Sequence, residues 1–380
     1  MTVFVSSIGI ARFGRRSEGL VELLAEAGKM ALEGAPVRHR APQAIFVGSM
    51  AAGPLAGVEN LVPRVAAALG LTEIPGYRIE AASATGAAVF HSAVGAVASQ
   101  MFDSALVVAG EKMTSCTTQD VTTVLSRSLS PHEILHGATM PSLAALVSST
   151  YLGHYSIPIE QIGRVTVDNR ANAAKNPFAH FQKPVTLEEV NTSRMVSTPL
   201  RLLHVSAVSD GAAAALITRT GGKVSVAGMG QATDVLDVVS RKDLTGFRAT
   251  RLAAMRAYES SHLTRKEVGV AEVHDAFAPF ELIDIEDLGL CGPGEALGWL
   301  DKGHGMLSGS VPVNPSGGLL GRGHPVGVSG LVQIAEVYRQ LSGEAGPLQA
   351  GHPAVGIAQS VGGLGSHNFV TILRREVAGG

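Results

Sequence analysis

The sequence predicts a layered α/β protein built from two similar halves, and three observations predict it. The chain has 380 residues, more than one ordinary core encloses, so two domains of similar size are expected. Apolar residues make up 46% and charged residues 16%, with 45 glycines. That balance suits much buried helix and sheet and argues against disorder. Short β-branched runs alternate with helix-period patterns, which places helices against sheets.

Taken in order, the N-terminal MTVFVSSIGIARFGRR has its apolar residues ahead of its charges, the reverse of a secretory signal, and reads as a first strand. A helical pattern covers Leu20 to Glu33, a strand Ala44 to Met50, and a second helical pattern Val62 to Leu69. Ala81 to Phe102 carries no formal charge. Ser83, Thr85, Gly86, His91 and Gln100 nevertheless make it too polar for a bilayer span, so a helix at the centre of a soluble fold is expected. Ala105 to Met113 reads as a strand.

From Cys116 to about Pro199 the periodicity weakens, and RANAAKNPFAHFQKP is rich in Asn, Pro and basic residues. This region is expected to be an insertion laid over the first half, the kind of segment that forms binding surfaces. Strands at Ala212 to Arg219 and Val224 to Gly230 flank Thr220-Gly221-Gly222, the break that divides halves 1–222 and 223–380. Arg251 to Ser260 and Val328 to Leu341 have helical patterns; Val270 to Phe277, Ala354 to Val361 and Asn368 to Arg375 read as strands. Each half offers a buried helix introduced by a Gly-rich polar turn, which suggests a duplicated fold.

The net charge of −2 gives no electrostatic reason to expect nucleic acid or an anionic membrane as partner. Two cysteines, Cys116 and Cys291, do not make a disulfide framework and suit a reducing cytoplasm, where the protein is expected.

Four places could carry chemistry. Ser83 stands where the chain enters the uncharged helix, either as an N-cap or as a nucleophile whose charge the helix end stabilises. In NPSGGLLGRGHPVGVSG, glycines including Gly318 and Gly323 let backbone approach a ligand around His324, unless that histidine is structural. A second Gly-His-Pro, Gly351 to Pro353, reads as a surface turn. VHDAFAPFELIDIEDLGL puts His274 and Asp275 at a strand end, before a helix whose Glu281, Asp284, Glu286 and Asp287 are expected to form a solvated face. No metal site is expected there, because no His or Cys sits at ligand spacing among the acids. AQSVGGLGSHNFV, with Ser360, Gly362 and Gly363, is either a plain hairpin or a loop whose N–H groups line a site; it is not a phosphate-binding P-loop.

Together GIARFGRR, SATGAA followed by VVAGEKM, NPFAHFQKP, VSDGAAAALIT, VHDAFAPFEL, EDLGLC and NPSGGLLGRGHPVGVSG resemble the thiolase superfamily from end to end. The similarity is to the branch of sterol-carrier-protein thiolases and archaeal-type acetyl-CoA acetyltransferases. It implies α-β-α-β-α layers, a homodimer, no permanently bound cofactor, and a coenzyme A thioester threaded under the inserted loop domain. By this resemblance Ser83 falls on the nucleophilic cysteine, and His324 on the histidine that activates the sulfur. His274 falls on the Asn or His of the oxyanion site. Ser360 falls on the second, proton-shuttling cysteine, and Ala276 on the place where some relatives keep it instead. Gly318, Gly323, Gly362 and Gly363 are expected to lie against the coenzyme A substrate.

The histidines are thus present and both sulfurs missing. A hydroxyl is far less acidic than a thiol and needs a well-aligned base. Three readings follow: an acyltransferase acting on acyl-CoA with Ser83 in place of cysteine; a retro-aldol lyase of a 3-hydroxyacyl-CoA, whose relatives pair with a small OB-fold protein; or a non-catalytic acyl-CoA binder. Arg164, Arg170, Lys175, Lys183 and Arg194 could meet coenzyme A phosphates or form a solvated basic surface.

Overall fold

The computed structural model describes residues 2–376. The first half opens with β1 (Phe4–Ile10), α1 (Leu20–Gly34), β2 (Ala44–Gly48), α2 (Ala52–Ala56) and α3 (Leu61–Ala68). It continues with β3 (Gly76–Ile79), α4 (Thr85–Ala98) and β4 (Ser104–Glu111). The insertion holds α5 (Thr118–Ser126), α6 (Pro131–Leu135), α7 (Met140–His154), α8 (Ile159–Ala173) and α9 (Leu187–Thr192), then a small hairpin of β5 (Met195–Ser197) and β6 (Leu200–Arg201). β7 (Gly211–Thr218) closes the first half. The second contains β8 (Val224–Thr233), α10 (Arg248–Ser261), β9 (Val270–Glu272), α11 (Ala278–Asp287) and α12 (Ala296–Asp301). It ends with α13 (Gly318–Arg322), α14 (Ser329–Ser342), β10 (Val355–Gly362) and β11 (His367–Arg375).

Nine strands join in the order β3-β2-β4-β7-β1-β8-β11-β10-β9. The two ends of this order are one motif used twice. β2 runs parallel to β4, β4 antiparallel to β7, and β7 antiparallel to β1. In the second half β9 runs parallel to β10, β10 antiparallel to β11, and β11 antiparallel to β8. The half-sheets meet where Phe4 pairs with Ser225 and Val5 with Val224.

The apolar faces stack these pieces into the α-β-α-β-α layers. α1 and α3 cover the outer face of the first half-sheet through Leu23, Leu24 and Val65 against Ile45, Leu106 and Leu216. α4 and α14 fill the middle, with Val89, Phe90, Leu331 and Val337 packed among Val107, Ala215, Ala358 and Phe369 from both half-sheets. The start of α4, Thr85 to Phe90, is buried throughout, which suits its lack of charge, while Ser92 and Gly95 further along are exposed. α10 covers the outer face of the second half-sheet. A Cβ on Gly9 of β1 would collide with the carbonyl of Ala27 on α1, and one on Gly230 of β8 with that of Ala253 on α10. The same close approach of helix to strand is therefore built in both halves.

Three expectations change. The insertion packs mainly on the second half rather than the first: Leu143, Tyr151, Ile162 and Val165 share a core with Phe277, Phe280, Ile283 and Leu319. The strand expected at Val270 to Phe277 stops at Glu272. Beyond it, backbone N–H groups are taken by side chains instead of a neighbouring strand: Val273 donates to Asn314 Oδ1 (2.9 Å) and His274 to Gln359 Oε1 (2.9 Å). Finally, α11 does not present a solvated acidic face. Glu281, Asp284 and Asp287 are buried, because Asn169, Asn314, Gln359 and Arg251 supply polar partners from elsewhere in the fold. Among the described residues no helix is long and apolar enough to cross a membrane.

Candidate active site

Four segments meet at the start of the central helices: the turn before α4 with Ser83, the chain after β9 with His274, the loop before α14 with His324, and the β10–β11 turn. Two glycines let α4 and α14 approach so closely. A Cβ on Gly86 would lie 2.5 Å from Leu331 N, and one on Gly330 would lie 2.7 Å from both Ala87 N and Ser360 Oγ. Above this junction opens a cavity of about 550 Å³, lined by Ser83, His274, His324 and Gly363 and otherwise largely by apolar side chains.

Ser83 does not cap the helix. The cap position is Ala84, with no side-chain bond, and Thr85 ties the turn instead: its Oγ1 accepts from Ala81 N (2.9 Å) and donates to Ala82 O (2.7 Å). Ala82 has φ +49°, the left-handed region that costs an alanine roughly 1–2 kcal/mol. Ser83 is therefore delivered to the cavity by a strained turn, mostly buried.

His324 Nδ1 lies 2.7 Å from Ser329 Oγ, and that hydroxyl donates to Pro325 O (3.2 Å). With its own proton spent on Pro325, Ser329 accepts from Nδ1–H, which leaves the lone pair of Nε2 as the free one. Burial, with the charge of Arg322 adding, pushes His324 down to about 3, so the ring is neutral at physiological pH. The ring of His274 meets it edge to face, centroids 5.1 Å apart at 87°. Burial and the neighbouring His324 hold His274 well below the ordinary imidazole range. Its Nδ1 is buried without a hydrogen-bond partner. A neutral imidazole carries one N–H and one lone pair, and nothing bonded to this ring fixes which nitrogen holds the proton. With the His274 proton on Nε2, the pair would combine one lone pair and one N–H donor.

Beneath them lies a buried polar frame. Asp275 accepts from Leu319 N (2.7 Å) and Leu320 N (3.1 Å), and Asn169 Nδ2 donates to both Asp275 (2.8 Å) and Glu281 (2.7 Å). Arg322 pairs with Glu272 at 3.2 Å, both fully buried. Gln359 joins His274 N to Asp284 Oδ1 (2.9 Å). Burial, and the like charge of Asp275 in the case of Glu281, raises both members of the Asp275–Glu281 pair.

Ser360 lies within β10, two residues before its end, with its Oγ buried and unpartnered, behind the cavity wall rather than on it. Of the four glycines expected against substrate, only Gly363 lines the cavity. Gly318, Gly323 and Gly362 keep neighbours in close approach: a Cβ there would strike the Asp275 carboxylate, Ser209 Oγ, and Ala81 O and His367 O respectively. Neither Cys116 nor Cys291 reaches the cavity, and burial pushes the Cys291 thiol up to about 12. Arg170 and Arg194 line it; Arg164 is held on the surface by Asp168 and Asp301, while Lys175 and Lys183 are exposed. Among the described residues no cluster of His, Cys, Asp or Glu is placed to hold a metal ion.

Two residues of the quoted motifs had no role read from the sequence. Glu111 accepts from Ser49 Oγ (2.8 Å), Met50 N (2.8 Å) and Ala51 N (3.2 Å), with burial pushing it up to about 7. Asp210 binds Lys112 Nζ (2.7 Å) and the N–H groups of Met113 and Thr114. Both brace loops that reach the cavity wall at Met113 and Val208. A carboxylate flanked by apolar strand residues was the available signal.

The thiolase N-terminal domain family matches residues 3–221, and the thiolase C-terminal domain-like family residues 230–375. The chain is 37% identical over 361 residues to the acetyl-CoA acetyltransferase of Methanothermobacter thermautotrophicus, covering 93% of this chain and 94% of that one. It is 32% identical over 349 residues to the benzoylsuccinyl-CoA thiolase subunit BbsB of Thauera aromatica, 89% of each. In fold it is similar to the Ltp2-ChsH2(DUF35) aldolase, with TM-score 0.85 and 24% identity over 99% of this chain and 98% of that one. With both halves matched in order, the chain belongs to the thiolase family.

Proposed function

We propose that this protein is a thiolase-type acyltransferase that makes or breaks the carbon–carbon bond beside the carbonyl of an acyl-CoA thioester. The observation that carries it is the convergence of Ser83 and two neutral imidazoles on a single cavity. Ser83 Oγ attacks the thioester carbonyl and His324 Nε2 takes its proton. The oxyanion is met by the N–H of His274, and the positive end of α4 adds to it. The carbon–sulfur bond breaks, the proton passes to the departing coenzyme A thiolate, and an ester remains on Ser83. His324, neutral again, takes the α-proton of a second acyl-CoA. The resulting enolate attacks the ester, and the proton returns to Ser83 Oγ as the new carbon–carbon bond forms. A ring as hard to protonate as His324 gains basicity only as an oxyanion forms beside it, so the step depends on substrate seated in the cavity.

One observation favours a second reading. No thiol reaches the cavity, and Ser83 Oγ makes no hydrogen bond among the described residues. The same imidazoles could steady the enolate released by retro-aldol cleavage of a 3-hydroxyacyl-CoA without any covalent step, with a small OB-fold subunit as partner. A cytoplasmic homodimer belongs to either reading; the edge strand β3, with Tyr77 exposed, offers a symmetric sheet-to-sheet contact. Incubation with acetyl-CoA followed by intact-mass measurement separates the chemistries. The acyltransferase predicts an acetyl group on Ser83, lost in Ser83→Ala. No adduct, together with 3-hydroxyacyl-CoA cleavage that survives Ser83→Ala, would give the site to the lyase; neither reaction would leave a binder.

A further inference from the structure

We infer that Arg170 is a carboxylate-recognition residue and that the substrate is an acyl-CoA thioester whose acyl group carries a free carboxylate on an apolar body. The inference rests on the acyl-CoA reading above. Arg170 is only 8% exposed and lines the cavity. Its guanidinium lies 3.4 Å over the ring of Phe181, and Nε donates to Leu320 O (2.9 Å). Among the described residues its Nη groups make no hydrogen bond and no carboxylate comes within ion-pair range. Burial alone accordingly pushes it down to about 10, with no acid opposing the shift.

A buried cation without a counter-ion is costly, and an anionic ligand removes that cost. Stacking fixes the guanidinium plane and leaves the two-nitrogen edge for a planar, two-oxygen acceptor. Its position fits an acyl terminus. Leu320 precedes His324 by four residues, and His180 N and Phe181 N donate to Arg322 O (2.9 Å) and Gly321 O (3.3 Å). Base, guanidinium and aromatic platform therefore hang on α13 and the residues just after it. A coenzyme A phosphate is the other source of anionic oxygen. It is strongly hydrated and more highly charged, and the exposed Arg194 at the cavity suits it better than one buried cation among Phe181, Phe277 and Phe280.

Calorimetric titration of the full chain with glutaryl-CoA, pentanoyl-CoA and free coenzyme A tests this. Glutaryl-CoA should bind about tenfold or more tighter than pentanoyl-CoA. Arg170→Gln should erase the difference by weakening glutaryl-CoA alone, and Arg170→Lys should keep part of it. Equal affinities in the unmodified protein overturn the inference even if a variant fails to fold. So does an equal loss for all three ligands in Arg170→Gln, which would assign the residue to a phosphate. The expected pattern without an adduct or cleavage would overturn the acyltransfer reading while this one stands; no binding of any of the three overturns both.

Discussion

The two halves share strand order, strand sense and the glycine that seats a helix on the first strand, Gly9 in one and Gly230 in the other. They differ in what they bury. The first brings Ser83 to the cavity at the head of a helix without a charge. The second brings both histidines on loops held by Glu272, Asp275, Glu281, Asp284 and Arg322, all buried. A charge-poor helix end can stabilise an anion, but it cannot fix the tautomer or direction of an imidazole; a frame of hydrogen-bonded side chains can. Duplication supplied the scaffold, and divergence between the copies supplied the chemistry.

The largest effect should come from removing the second half's base. His324→Ala should lower turnover of acyl-CoA by roughly 10²–10⁴-fold, whichever carbon–carbon chemistry operates. Steady-state assay of free coenzyme A release checks it. A loss no larger than that of Ser83→Ala, with the adduct still forming, would mean that the first half does the work alone.

The buried acids give the next effect. Burial, with the charges of Asp287 and Asp275 adding, raises Asp284 well above its ordinary value, and its Oδ2 has no partner. Folded, it holds a proton that the unfolded chain releases near its ordinary value of 3.8. Stability from this group is therefore complete below that value and falls as pH rises toward the folded one. Asp284→Asn keeps the neutral form and should flatten the decline in urea-unfolding free energy as pH rises above 3.8, by at most about 1.4 kcal/mol per pH unit. Equal slopes for both proteins would show the acid ionised in place, and the contrast between the halves would lose its electrostatic half.

Much of the scaffold was legible in sequence because local chemistry fixes it: β-branched runs became β4, β7, β10 and β11, and Thr220-Gly221-Gly222 became the turn between β7 and β8. The burial of α11 was not. Four acids in ten residues read as a solvent face, and the groups that satisfy them, Asn169, Asn314 and Gln359, lie on three other segments. His274 and His324 were found only as members of motifs, since nothing in their spacing says that their rings meet. Arg170 was read as one of several basic residues; its burial depends on α13 and Phe181, which come next to it only in the folded chain.

The smallest predicted effect separates two faces of one helix. α8 joins the insertion to the second half from two of its faces. On its buried face Asn169 bonds Asp275 and Glu281; on its exposed face Arg164 reaches Asp301 at 2.6 Å, with side chains 41% and 50% exposed. Both contacts have good distances, so geometry alone ranks them equal. Solvent decides otherwise. Water and salt already serve Arg164 and Asp301 in the unfolded chain, and ordering two long side chains offsets most of the gain. Asn169→Ala instead leaves two buried carboxyl groups short of a donor, which costs about 1–3 kcal/mol. The Arg164–Asp301 coupling, measured by a double-mutant cycle to alanine, should be about 0.2–1 kcal/mol and shrink in high salt. If the surface pair proved the stronger link, the insertion would be held to the second half by its rim, and the buried frame would serve the histidines alone.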